Sequence, residues 1–307
     1  MKGLLKALAS LAILIGLAGA SIYFVYPGIM LQGLQAAAAN AAGLTHRSVD
    51  INGYLAHYYE GGQNNSQTLV LLHGLGDDKN TFVTAAQSLS SRYRIILPDL
   101  QAHGANAALL GRDHSIQGQV DFVDSLLRTV NANRFVIGGN SMGGHIAAAY
   151  AMEHPHRVDG LVLLNASGFQ LAEESAYRRY PESVSVTFFE ELFAQLFVTQ
   201  PQYPRPVLQH LANELNAKIP VMNDLVEQAQ QGKHSRLNDK LPLVTAASLI
   251  LWGQGDSLLP VAYAEALNSA LPNSTLVVFP NVGHLPQFEA PLEVGQQLQS
   301  FLDGIYP

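Results

Sequence analysis

Six short apolar runs, separated by stretches of helical period, constrain the fold of this chain more than any other feature. They lie at 68–72 (TLVLL), 93–97 (YRIIL), 134–138 (RFVIG), 160–164 (GLVLL), 248–252 (SLILW) and 275–279 (TLVVF). A strand wetted on one face alternates apolar and polar residues, whereas a strand that is apolar throughout needs both faces covered. Alternation of such strands with helical segments implies βαβ units and a mostly parallel sheet. Ahead of them, residues 49–59 read as a hairpin turning at Asn52-Gly53. One block breaks the rhythm. From about 170 to 241 no strand pattern occurs, and in 188–197 (FFEELFAQLF) the apolar residues recur at helical spacing against an acidic strip. The expected fold class is therefore α/β: a mostly parallel central sheet with helices on both faces and an inserted helical cap.

The densest chemical motif is Gly139-Asn140-Ser141-Met142-Gly143-Gly144, placed between the 134–138 strand and a helical run from His145. A sharp strand-to-helix turn of this kind needs glycines where a side chain would strike strand or helix. It also exposes the serine oxygen at a helix N-terminus, where developing negative charge is favoured. Taken alone, G-x-S-x-G also fits an ordinary glycine-rich turn. A second motif, His73-Gly74-Leu75-Gly76-Asp77, follows the 68–72 strand. Its Leu75 N–H, with the N–H of Met142, is a candidate donor pair for an oxyanion. His73, beside the strand end, reads as a hydrogen-bonded structural histidine. After the cap region, Asp256 closes Trp252-Gly253-Gln254-Gly255-Asp256, and His284 sits in Asn281-Val282-Gly283-His284 after the last strand. Ser141, Asp256 and His284 thus form a candidate nucleophile, acid and base, with His284 taking the serine proton and Asp256 fixing its tautomer. Asp99, at the end of the 93–97 strand, reads instead as a loop-pinning residue.

Composition closes several routes. The net charge of -7, with no Lys/Arg-rich patch, gives no electrostatic reason to bind nucleic acid. With no cysteine there is neither a disulfide nor a thiolate ligand or nucleophile. No His-Glu-x-x-His run or other metal-ligand spacing occurs, so neither a metal nor a cofactor is expected. Lys2 and Lys6 precede a stretch without charge up to Arg47, of which 7–26 is apolar over about the length that crosses a bilayer. We read 1–27 as a signal anchor that leaves the domain outside the cytoplasm at the inner membrane. Ala18-Gly19-Ala20 keeps open a cleaved signal peptide and a secreted protein, and a helix buried in the domain is the third alternative. Residues 28–47 read as a juxtamembrane helix and linker, and 48–303 as the folded domain.

These motifs together resemble the α/β-hydrolase superfamily over residues 48–303, and within it the bacterial lipases called family V. Those lipases pair an H-G-x-G loop and Asp-Lys-(Asp/Asn)-x-Phe with a G-N-S-M-G-G elbow. Here the loop reads His73-Gly74-Leu75-Gly76-Asp77-Asp78-Lys79-Asn80-Thr81-Phe82, and V-G-H-x-P-x-x-E is matched by Val282 through Glu289. The membrane-bound monoacylglycerol lipases look similar too. The resemblance implies hydrolysis of acylglycerols or other acyl esters through an acyl-enzyme on Ser141, under a mobile cap, with a lipid or acyl-ester substrate and a membrane as partners. The usual Pro-Asp-x-x-Gly-x-Gly-x-Ser stretch departs here to Pro98-Asp99-Leu100-Gln101-Ala102-His103-Gly104-Ala105-Asn106. That departure bears on loop shape and substrate size. The same elbow occurs in hydrolases that cleave carbon–carbon bonds of ring-fission products, and a non-catalytic, membrane-tethered binding module is the remaining alternative.

Overall fold

The computed structural model describes residues 26–171 and 177–307. Eight strands form one sheet: β1 (Leu44–Ile51), β2 (Tyr54–Gly61), β3 (Thr68–Leu72), β4 (Arg94–Pro98), β5 (Phe135–Asn140), β6 (Val158–Leu164), β7 (Ala247–Gly253) and β8 (Ser274–Phe279), in the order β1-β2-β4-β3-β5-β6-β7-β8. Strand β2 runs antiparallel to both its neighbours, and every pair from β4 to β8 is parallel. The six apolar runs are the six strands from β3 to β8. Every residue of β3 and β5 is buried, as a strand covered on both faces requires. One core cluster, with Ile137, Ile146 and Trp252, and a second, with Leu71, Val162 and Leu298, hold the packed side chains.

The helices are α1 (Pro27–Ala41), α2 (Val83–Ala86), α3 (Ile116–Thr129), α4 (Met142–Glu153), α5 (Val186–Leu196), α6 (Arg205–Ala229), α7 (Ala262–Ala270), α8 (Pro286–Glu289) and α9 (Pro291–Ile305). The β1–β2 turn falls where the sequence puts it. Asn52 and Gly53 both have positive φ (54° and 80°), as a two-residue turn with the twist of its strands requires, and the Asp50 carboxylate accepts the Gly53 N–H at 2.9 Å.

The 28–47 stretch, read as a helix and linker ahead of the domain, does hold a helix but is built into the fold. Helix α1 buries Ala39 in the core cluster that contains Leu89. The helix ends at Gly43, whose φ of +70° is the left-handed closing position that glycine takes without strain. Strand β1 then begins at once, Leu44 pairing with Gly61, so the folded unit starts ahead of residue 48. The reading of 1–27 as an anchor or signal peptide lies, apart from Tyr26 and Pro27, outside the described residues. Among the described residues no helix is long and apolar enough to cross a membrane.

Between β6 and β7 the described residues hold no strand, only α5, α6 and a single turn at Leu241–Leu243. Phe188, Phe189, Phe193 and Phe197 form a ladder along α5, with ring centroids 5.6, 5.9 and 5.7 Å apart in succession. Helix α6 is tied to the 99–115 loop: Lys218 donates to the Gly104 carbonyl at 3.0 Å, the Gln228 side chain accepts the His114 N–H at 2.8 Å, and His114 Nδ1 lies 3.2 Å from the Asp224 carboxylate.

Candidate active site

Ser141 occupies the one residue between β5 and α4, with φ 53° and ψ -118°. An L-residue adopts that conformation only where the surroundings impose it. Its N–H donates to the Leu164 carbonyl at 3.0 Å, and its own carbonyl accepts from His145 and Ser167, each at 3.1 Å. The glycines around it are steric necessities. A Cβ on Gly139 would lie 2.4 Å from the Gly143 backbone, one on Gly143 2.1 Å from the Leu72 carbonyl oxygen, and one on Gly144 2.5 Å from Ala166 Cβ. Only glycine lets helix α4 start this close to β3 and β5.

Asp256 and His284, widely separated in sequence, meet at the ends of β7 and β8. His284 Nδ1 and Asp256 Oδ2 are 2.7 Å apart, both side chains buried. The other carboxylate oxygen, Oδ1, accepts the N–H groups of Leu258 (2.8 Å) and Leu259 (2.9 Å). Oδ2 also accepts from Asn165 Nδ2 at 2.6 Å. Three of its lone pairs face these N–H donors, and His284 Nδ1 is the fourth donor to it. The imidazole is thereby held as the tautomer whose Nε2 can accept a proton. Asn140, the residue before Ser141, donates to the His284 carbonyl at 3.0 Å and to the Leu164 carbonyl at 3.1 Å. The serine turn, the histidine loop and β6 are thus joined by one buried amide.

The His73–Asp77 loop passes beside the same turn: a Cβ on Gly74 would lie 3.3 Å from Ser141 Cβ. His73 is fully buried, Nδ1 on the Gly74 carbonyl at 2.8 Å and Nε2 accepting the Leu100 N–H at 2.9 Å. Burial depresses its pKa, so the ring is a neutral bracket that fixes the loop carrying Leu75. Burial, then the neighbouring Asp78 carboxylate, push the Asp77 carboxyl up to about 7. Asp99 is wholly buried and holds two loops. Its oxygens accept the Lys79 N–H at 2.9 Å, the Lys79 ammonium at 2.6 Å and the Ala105 N–H at 2.9 Å. Burial raises the Asp99 pKa, but the Lys79 charge and hydrogen bonds outweigh it and leave the carboxyl below its ordinary value.

Beside the site stand residues to which sequence reasoning assigns no role there. Asn165, at φ 40°, braces Asp256 and accepts the Gly253 N–H at 3.1 Å. Behind the serine turn, His145 Nδ1 lies 2.8 Å from the Tyr177 hydroxyl, which lies 3.0 Å from Ser167 Oγ. His145 Nε2 donates to the His234 carbonyl at 2.6 Å. Burial drives the His145 pKa down to about 4, so this histidine, too, is a neutral strut, between helix α4 and the cap. A buried asparagine after an apolar strand and a histidine in an Ala-rich helix were the available signals.

The parallel sheet, the strained serine after its fifth strand and a His–Asp pair after the seventh and eighth define an α/β hydrolase. The model of the alpha/beta hydrolase fold family matches residues 67–291, and the chain belongs to that family. Among its relatives, Lipase 1 of Psychrobacter immobilis is 28% identical over 260 residues, covering 80% of this chain and 79% of that protein. Monoacylglycerol lipase ABHD6 of Bos taurus is 24% identical over 269 residues, covering 81% and 79%. A crystal structure of a membrane phospholipase A, described as a bacterial virulence factor, superposes with a TM-score of 0.85 at 32% identity over 99% of both chains. The protein is a relative of lipases and esterases.

Proposed function

We propose that this protein hydrolyses carboxylic esters of lipids, acylglycerols or phospholipids, with Ser141 as nucleophile, His284 as general base and acid, and Asp256 as the group that orients it. The observation that carries the reading is the 2.7 Å His284–Asp256 pair, together with a serine at φ 53° in the turn its loop is bonded to. In the proposed cycle, Ser141 Oγ attacks the ester carbonyl while its proton passes to His284 Nε2. The N–H groups of Leu75 and Met142 bind the oxyanion, and the proton then leaves with the alcohol. Water enters by the same base-assisted step and releases the fatty acid. The relatives named above support the lipid class of substrate, and the aromatic ladder of α5, whose last turn meets the His284 loop, supplies apolar surface for an acyl chain.

The same reading extends to location. An uncharged N-terminal stretch behind Lys2 and Lys6, running into α1, which carries no charged side chain, supports an inner-membrane anchor with the domain outside the cytoplasm, or a secreted form if the segment is cleaved.

The test is turnover of p-nitrophenyl esters from acetyl to palmitoyl by the wild type and Ser141→Ala. The variant should lose activity by a factor of about 10³ or more and give no fluorophosphonate adduct. Turnover retained by Ser141→Ala refutes the assignment.

A further inference from the structure

Glu289 ends the short helix α8 and touches two elements at once. Its Oε2 accepts the N–H of Gly283, beside His284, at 2.6 Å. Its Oε1 accepts the N–H groups of Val198 (3.1 Å) and Thr199 (2.8 Å), which follow the last turn of cap helix α5. The same junction is closed by two further bonds. The His284 N–H donates to the Leu196 carbonyl at 2.7 Å, and Ser257 Oγ, next to Asp256, donates to the Gln195 carbonyl at 2.8 Å. Carbonyls in the last turn of a helix have no partner within it, so α5 is completed by the loops that carry the His–Asp pair. The Phe197 ring packs on Phe288 at 5.4 Å, and a Cβ on Gly283 would lie 2.4 Å from the Leu196 carbonyl oxygen, so the approach is close and apolar on its outer side.

We infer that Glu289 is a positioning residue that couples the cap to the general base: its two oxygens fix the exit of α5 and the His284 loop at one separation. This rests on the role proposed for His284. Hydrogen bonds to an ionised acceptor are about twice as strong as neutral ones, and here three backbone donors share one carboxylate. The 196–199 end of the cap is then a fixed pivot. It cannot lift without releasing the Gly283 and His284 backbone, and with it the imidazole's alignment on Asp256.

The test uses the full-length protein with Glu289→Gln, nearly isosteric, and Glu289→Ala. In the Gln variant one oxygen becomes an NH2 that faces an N–H, so one side of the junction is lost. We expect kcat for p-nitrophenyl butyrate to fall about 10- to 100-fold, in line with the cost of misplacing a catalytic group by about an ångström. KM should stay within about threefold, the acid limb of the kcat/KM pH profile should shift, and Ala should lose more than Gln. Backbone amides of 196–199 and 283–284 should lose hydrogen-exchange protection together. A kcat within twofold of wild type with a superimposable pH profile would overturn the inference. So would a loss matched in full by the fraction of protein that fails to react with a fluorophosphonate, or exchange that rises at one segment alone. A wild type with no ester turnover and no Ser141 adduct would sink the hydrolase reading instead, while the paired exchange would still decide the coupling.

Discussion

At the scale of single residues, the site is held by conformations and contacts that cost free energy locally. Ser141 sits at φ 53° and ψ -118°, a region that costs a non-glycine residue about 1–3 kcal/mol. Three backbone hydrogen bonds and the surrounding glycines impose it. Replacing the serine by alanine removes the hydroxyl and keeps the strain, whereas glycine removes both. Against that relief, glycine adds about 0.5–1 kcal/mol of unfolded-state entropy. Ser141→Gly should therefore be more stable than Ser141→Ala by about 1 kcal/mol, read as a higher urea midpoint at unchanged m-value. Equal midpoints would put the strain no higher than that entropy cost, about 0.5–1 kcal/mol, and an alanine variant more stable than glycine would show the turn to be unstrained. Ser141, Asp256 and His284 were each visible in the sequence as candidates because each follows an apolar strand in a recognisable setting. Asn165 was not, since its value lies in a 2.6 Å bond to Asp256 across 91 residues, and nothing local distinguishes it from a turn asparagine.

At the scale of elements, the same glycine content has opposite consequences in different places. Gly143 lies where a Cβ would be 2.1 Å from the Leu72 carbonyl oxygen and 2.5 Å from that of His73, both backbone atoms of the strand and loop it crosses. Gly143→Ala must push α4 away from β3, and we expect a loss of more than about 4 kcal/mol, seen as failure to accumulate folded protein. Gly33, within α1, has nothing within 4 Å of its Cβ position. There Gly33→Ala should add about 0.5–1 kcal/mol by helix propensity alone, a rise of about 1–3 °C in melting temperature. A fall would mean that α1 is not helical in solution. The strands from β3 to β7 were legible because burial on both faces leaves a nearly unbroken apolar signature, while β8, the edge strand, shows an apolar run although only Phe279 of it is buried. The packing of helix α1 into the domain and the start of β1 were not legible. A helix of Ala, Gly, Gln and Leu without charge has no clear polar face, and β1, an edge strand mostly exposed, has no apolar run.

At the scale of the whole molecule, buried ionisable groups act together through pH. Burial holds His145 at about 4 and His103 at about 3, and lowers His73, against an ordinary value of 6.5. A base whose pKa is lower folded than unfolded binds a proton first in the unfolded chain. The unfolded state thus carries more protons between pH 6.5 and 4, and stability falls as pH falls through that window. Asp99, paired with Lys79 and lowered from 3.8, adds a second loss of the same sign, confined to pH below its unfolded value. The histidines therefore act first, and Asp77, raised to about 7 from 3.8, has the opposite sign and offsets the slope of one of them over this window. Each histidine contributes a slope of about 1.4 kcal/mol per pH unit once the unfolded chain is protonated. Urea midpoints measured from pH 8 to pH 4.5 should be flat above pH 7 and then decline steeply, well before the carboxylates titrate. His145→Gln, which removes one of these groups, should start from a lower plateau and lose about 1.4 kcal/mol per pH unit of that slope. A variant whose decline parallels the wild type would mean that His145 is charged in the folded protein, and the neutral strut between the serine turn and the cap would have to be abandoned.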